Sequence, residues 1–260
     1  MKIALFGLGN IGQRHARNIS AMCGHELLGY DVSVKAPGFS LAIPRTDMLQ
    51  EVWAWQPEYV IIATPPAWHH ALATEAIMHH CHVFIEKPIG LSVLEANDLI
   101  WLNDDRKTLA VGYQLNASAA VREFSRGWKV LHLWDKQDMR RDWPAVTYRR
   151  DILLEYSHEL ATALLWAGSD PATATIDWMD EANCLIMLGW TDGRVAKIEL
   201  SANYNGYSRG AWSDRDTWQF SKDENDTCYV DELEAFLVNE PYCTAEEGLA
   251  VMRLIERLQS

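Results

Sequence analysis

KIALFGLGNIGQRHARNI, residues 2 to 19, is the stretch that decides the fold. The apolar run Ile3-Ala4-Leu5-Phe6 meets Gly7-x-Gly9-x-x-Gly12 with no spacer, and a helical pattern follows. A strand, a tight turn and a helix start in that order suit a dinucleotide pyrophosphate. Gly7 permits the turn, Gly9 lets backbone approach the phosphates, and Gly12 lets the helix pack against the strand. The N–H groups at the helix start, around Asn10 and Ile11, then face the anion. A glycine turn without a ligand carries the same triplet, so context decides. The next apolar run, residues 26 to 30, ends in Asp31, nineteen residues after Gly12. A carboxylate there accepts from the adenosine ribose, which favours NAD over a 2′-phosphorylated cofactor. Ser33 and Lys35 follow closely, soften that preference and keep NADP open.

Outward from this stretch the pattern alternates. Helices are expected at 47 to 55, 67 to 79 and 92 to 103, and strands at 58 to 63, 82 to 85 and 109 to 112. Residues 33 to 44 read as irregular. Strands separated by helices imply an α/β Rossmann domain with a doubly wound parallel sheet, its ligand at the carboxyl ends of the strands. Beyond Tyr113 a helix is expected at 118 to 126, a strand at 128 to 134 and an apolar helix at 152 to 167. Strands at 173 to 179, 184 to 190, 194 to 201 and 216 to 221 follow, the middle two joined by the hairpin signal Thr191-Asp192-Gly193. Consecutive strands imply a mostly antiparallel sheet in a second, shortened α+β domain. Helices at 232 to 238 and 245 to 258 end the chain. The expected division is a dinucleotide-binding domain at 1–113 and a substrate and oligomerisation domain at 114–243, with the last helix, 244–260, packing back on the first.

The 260 residues carry 23 Lys and Arg against 36 Asp and Glu, a formal charge of −13 that disfavours nucleic acid and anionic membrane as partners. No apolar run reaches membrane-spanning length, and Met1 to Phe6 is too short for a signal peptide. Five scattered cysteines without a C-x-x-C pair fit a reduced, cytoplasmic protein. His69, His70, His79, His80, Cys81 and His82 lack zinc-type spacing, so no metal site is expected. Core packing accounts for most of the twelve tryptophans.

Two groups look chemical. Lys87, in Glu86-Lys87-Pro88 just after a strand, can hold a substrate oxygen and offset developing negative charge; it also reads as a surface lysine before a turn. Glu155 and His158 share a helix face at a spacing of three, where the carboxylate can orient the imidazole. Histidine is the usual acid or base near neutral pH, and equally a common hydrogen-bonded core residue.

These pieces together resemble the oxidoreductase family of glucose-fructose oxidoreductase and inositol dehydrogenase (Gfo/Idh/MocA). The matching segments are GLGNIGQRHARNI, ATPPAWH at 63 to 69, EKP at 86 to 88, VGYQLN at 111 to 116 and LLEYSHEL at 153 to 160, with CYVDELEAF near the end. The resemblance implies hydride transfer between NAD(P) and a hydroxyl or keto carbon of a sugar, cyclitol or sugar derivative. In its terms His158 takes the hydroxyl proton and Lys87 steadies the oxygen, with Glu155 a shifted partner for the histidine. Thr64, Pro65, His69 and Glu86 match the nicotinamide side. Tyr113, Gln114 and Asn116 match the entry to the substrate domain, and a homodimer is common in the family.

Leu154 and Ala161 stand where many members carry aspartates, and the region between Trp134 and Ile152 is short. These departures keep two other readings in view, an imine or double-bond reductase on the same scaffold and a non-catalytic dinucleotide sensor. Arg149 and Arg150 precede the His158 helix and either clamp an anionic group of the substrate or form a solvated turn. If they clamp, Arg150→Ala weakens an anionic substrate far more than a neutral one in steady-state kinetics. Equal losses for both would remove the clamp.

Overall fold

The computed structural model describes residues 1–32, 42–103, 107–124, 127–138, 152–220 and 222–260, with backbone alone at 138 and 222–225. Two units partition the chain: Met1–Gly112 with Tyr229–Leu249, and Tyr113–Cys228 with Ala250–Ser260.

The first unit holds a six-stranded, all-parallel sheet. Its strands are β1 (Lys2–Phe6), β2 (Glu26–Tyr30), β3 (Arg45–Thr46), β4 (Tyr59–Ile62), β5 (His82–Glu86) and β6 (Leu109–Gly112), in the order β3-β2-β1-β4-β5-β6. That is the doubly wound order, reversing between β1 and β4 where a dinucleotide lies across the strand ends. The strands KIALF, YVII, HVFIE and LAVG are near-continuous apolar runs because helices cover both faces. Between the strands run α1 (Asn10–Ala21), α2 (Leu49–Trp55), α3 (His69–Met78) and α4 (Val93–Leu102). Ser92 caps α4 by accepting from the Glu95 N–H. On one face Ile3, Leu5, Tyr59, Ile61, Phe84 and Ala110 pack under Ala16 and Ile19 of α1. Leu233, Phe236 and Leu237 of α8 (Lys222–Leu237) join them at helical spacing. The Tyr59 hydroxyl donates to the Leu237 carbonyl at 3.2 Å. Sequence expectation starts that helix ten residues late, because its first half is polar and shows no apolar period.

In the second unit β7 (Val130–Asp138) lies between β10 (Val195–Ser201), parallel to it, and β11 (Asn203–Ser213), antiparallel. With β8 (Thr173–Met179), β9 (Asn183–Gly189) and β12 (Thr217–Gln219) the order is β12-β11-β7-β10-β9-β8. The mostly antiparallel second sheet is as expected, and Thr191-Asp192-Gly193 closes the β9–β10 hairpin with Gly193 at φ +87°. The sequence reading lacks β11. Asn203-Tyr204-Asn205-Gly206 reads as turn chemistry, and pairing with the long β7, irregular between Asn203 and Tyr207, makes it a strand. The helix at 118 to 126 contracts to α5 (Ala119–Glu123), residues 125–126 lying outside the described set. The helix at 152 to 167 divides at Tyr156 into α6 (Ile152–Glu155) and α7 (Ser157–Ala167), which ends at Gly168 with φ +66°. The Tyr156 hydroxyl donates to the Ser201 carbonyl at 2.8 Å, fixing the break to the sheet. The final helix is α9 (Ala245–Gln259).

A buried ion cluster also ties α7 to this sheet. Arg209 of β11 donates from Nε to Glu159 Oε1 at 2.7 Å, and the same Nε stands 3.4 Å from Asp135 Oδ2 of β7. All three side chains are buried. Burial alone would lower the guanidinium pKa, but Glu159 and Asp135 more than reverse that and raise it. Arg209→Met takes the guanidinium away from the buried Glu159 carboxylate and should cost about 3–5 kcal/mol in urea unfolding. Adding Glu159→Leu should recover part of the loss; a single-variant loss below ~1 kcal/mol would mean the pair behaves as a surface bridge.

Candidate functional site

β1 stops at Gly7, whose φ of +89° is open to glycine, and the Gly7 N–H donates to the Tyr30 carbonyl at 2.8 Å. A Cβ on Gly7 would stand 2.6 Å from the Ala63 carbonyl oxygen, and one on Gly12 would stand 1.9 Å from the Gly7 oxygen. A Cβ on Gly9 meets nothing within 4 Å. Two glycines are therefore required by protein packing, and the middle one faces open space where backbone can approach a phosphate. Gly9 is the N-cap of α1, which has no side-chain cap bond and no acidic residue in its first turn. The N–H groups of its first turn, with Asn10 exposed and Ile11 half-buried, thus favour an anion.

Asp31 follows β2, and its Oδ2 accepts from the Leu8 N–H at 2.8 Å. The bond holds the carboxylate beside the glycine turn, where a carboxylate can accept from a ribose hydroxyl. Ser33 and Lys35 lie outside the described residues. The loop after β4 runs through Thr64 and the exposed Pro65 into a 3-10 turn, Pro66–Trp68. The Thr64 hydroxyl, Oγ1, is buried and has no hydrogen-bond partner among the described residues.

His69 is fully buried. Its Nε2 lies 2.8 Å from the Thr64 carbonyl and its Nδ1 2.7 Å from the Pro88 carbonyl. Desolvation pushes its pKa below the ordinary histidine value, although both carbonyls oppose that. The ring thus braces the Thr64 loop against the Glu86-Lys87-Pro88 turn, whose Lys87–Pro88 bond is cis. Glu86, at the end of β5, is buried, with Oε1 2.6 Å from His15 Nε2 of α1. Lys87 is half-buried at the carboxyl end of the sheet. Sequence reasoning passed over His15. Its signal is a histidine on the same helix face as Gly12, Ala16 and Ile19, which has to find a buried partner.

The neighbouring histidines separate in space. His70 pairs with Asp98 at 2.6 Å, His79 stacks on Trp53, and His82 stacks on Tyr59. Among the described residues no three metal-ligating side chains converge.

In the second unit Tyr113, Gln114 and Asn116 are buried around the 3-10 turn Gln114–Ala117, which packs against α7. The Tyr113 ring stands edge-on to the His158 ring, with centroids 5.5 Å apart at 88°. The side-chain carbonyls Gln114 Oε1 and Asn116 Oδ1 are buried and have no partner among the described residues. Buried orphan acceptors beside a histidine suit a polyhydroxylated ligand, whose hydroxyls can donate to them. Glu155 is half-buried on α6, so the break at Tyr156 puts it on a different helix from His158. Arg149 and Arg150 lie outside the described residues. Glu159 and Arg209, unremarked in the sequence reading, hold the helix that carries His158.

Residues 1–113 match the oxidoreductase family with an NAD-binding Rossmann fold. A UDP-N-acetylglucosamine 3-dehydrogenase from Acidithiobacillus ferrooxidans is 27% identical over 218 residues, 77% of this chain and 67% of that protein. The WlbA (WbpB) dehydrogenase from Thermus thermophilus, solved with NAD and UDP-GlcNAcA, superposes with a TM-score of 0.83 at 17% identity. That likeness covers 100% of this chain and 95% of the other. A myo-inositol dehydrogenase from Corynebacterium glutamicum gives 0.78 at 20% identity, covering 100% and 96%. At such identities the structural likeness establishes the fold. No helix among the described residues is long and apolar enough to cross a membrane.

The glycine geometry separates binding from folding. Gly9→Ala should leave thermal stability within about 1 kcal/mol of the parent and weaken NADH at least ~tenfold by calorimetric titration. Gly12→Ala should destabilise the fold by roughly 1–3 kcal/mol or more, because two backbones would have to separate. The reverse order of effects would contradict this placement of the phosphates.

Proposed function

Through residues 1–113 this chain belongs to the Gfo/Idh/MocA oxidoreductase family with its NAD-binding Rossmann fold, and from that premise we propose that the protein moves a hydride between NAD and a hydroxyl or keto carbon of a sugar, cyclitol or sugar derivative. The observation that carries the reading is the glycine turn, with Gly7 and Gly12 locked by contact, Gly9 open and Asp31 tethered beside it. The substrate class rests on the 27% identical relative, which acts on UDP-N-acetylglucosamine, and on the buried acceptors Gln114 and Asn116.

In this reading Gly7, Gly9, Asn10, Ile11 and Gly12 cradle the pyrophosphate, and Asp31 accepts from the ribose hydroxyls. Thr64, Pro65 and Glu86 shape the nicotinamide side, with His69 fixing the loop from behind. The bound cofactor supplies the hydride acceptor or donor. His158 takes the proton from the substrate hydroxyl in oxidation and returns it in reduction. Lys87 donates to a substrate oxygen and stabilises negative charge that develops there. Tyr113 holds the His158 ring at its edge, Gln114 and Asn116 orient other hydroxyls, and Glu155, Arg149 and Arg150 border the substrate. The reading includes a homo-oligomer formed on the second sheet, where Trp212, His132, Lys197 and Met187 align in one cross-strand row, and a cytoplasmic setting.

The test follows NADH absorbance with NAD or NADP and a panel of free, phosphorylated and nucleotide-linked sugars and cyclitols. Lys87→Ala and His158→Ala should each lower kcat by about 10²–10⁴ on any substrate found. NADH binding without any turnover that depends on Lys87 or His158 would move the protein to the sensor reading.

A further inference from the structure

The ring of His69 has more acceptors than its neutral form has protons. It opens α3, is fully buried, and faces a backbone carbonyl with each nitrogen. Nε2 lies 2.8 Å from the Thr64 oxygen in the loop after β4, and Nδ1 lies 2.7 Å from the Pro88 oxygen in the turn after β5. Both are hydrogen-bond distances, and a carbonyl can only accept. A neutral imidazole has one N–H and one lone pair, so it satisfies one of these oxygens and turns its lone pair on the other. Only the imidazolium donates to both.

Burial pulls the other way. Desolvation is the largest influence on the ring and sets its pKa below the ordinary 6.5; the Pro88 and Thr64 carbonyls oppose it. The charged groups that act on the ring are Glu86 at the end of β5, which favours the proton, and Lys87 in the turn, which disfavours it. Titratable groups on the other elements around α3 are engaged elsewhere. His70 pairs with Asp98 of α4 at 2.6 Å, Glu95 of α4 accepts from the Leu91 N–H at 2.7 Å, and the Tyr59 hydroxyl of β4 donates to Leu237. Glu75 of α3 is exposed, and the 3-10 turn Pro66–Trp68 has no titratable side chain. The ring is therefore neutral at pH 7 to 8 and gains its second proton on mild acidification, when the two carbonyls claim it.

We propose that His69 is a proton-linked positioning residue: the neutral ring holds one of the Thr64 loop and the Lys87-Pro88 turn by a hydrogen bond, and the imidazolium holds both. Uptake of one proton then joins the two segments through a single side chain. Thr64 ends one strand connection and Pro88 directly follows Lys87, so the joined form fixes both against each other. In the reading given above, these segments shape the nicotinamide side, and the joined form is the one that receives the cofactor. That link to the cofactor rests on the proposed function; the proton count on His69 does not.

The experiment has two arms. In the first, the whole chain is labelled with ¹⁵N-histidine, and the His69 ring is identified by its through-space contacts to Thr64 and Pro88. Its nitrogen resonances are followed as pH falls from 8. One ring N–H is expected at pH 8 and two after acidification, with the midpoint below 6.5. A ring that keeps one N–H wherever the fold persists, or two at every pH, would overturn the proposal. In the second arm NADH is titrated by tryptophan fluorescence against the parent and His69→Gln between about pH 8 and 6. Glutamine can donate but gains no proton. The affinity of the parent relative to His69→Gln should rise by about threefold or more as pH falls, because the joined form takes up a proton and binds the cofactor. The ratio cancels the other histidines, and a flat ratio would remove the positioning role even if the first arm succeeds. If His69→Gln does not fold, the first arm, made on the parent alone, still decides whether the proton joins the two carbonyls. Absence of NADH binding by the parent would fault the proposed function instead, and the first arm would again decide the proton count.

Discussion

The approach of α1 to β1 is the constraint on which the first unit depends. No side chain fits between Gly12 and the Gly7 carbonyl, so the helix axis is fixed against the strand end. Once it is fixed, α1 sets Ala16 and Ile19 onto the sheet and places His15 beside Glu86, two strands away from β1 in the sheet order. The first turn of the same helix points its unpaired N–H groups towards the space above Gly9. A single backbone contact thus sets both the core packing and the position of the helix start.

The second unit holds a helix in place with charge instead of contact. α7 carries His158, and the next residue, Glu159, is bound by Arg209 in a buried cluster with Asp135. Three ionised groups in an interior are a poor source of net stability, because desolvation offsets much of their attraction. They are directional, however. A guanidinium shared between α7 and two strands allows one rotation of the helix, and an apolar contact would allow several. The Tyr156 hydroxyl on Ser201 pins the other side of the break, so the start of α7 is constrained from both sides.

What could be read from the sequence divides along the same line. The glycine triplet, Asp31 and the apolar strands were legible because each depends on neighbours close in the chain, and their roles follow from backbone geometry. The helix containing His158 was legible as a helix, but not its break at Tyr156, which depends on a sheet carbonyl 45 residues away. β11 was hidden because Asn, Gly and Ser are turn residues until a long partner strand supplies the hydrogen bonds. The His15–Glu86 contact spans 71 residues, and no local pattern announces it. Local order exposes the cofactor loop, while the supports behind Lys87 and His158 are tertiary.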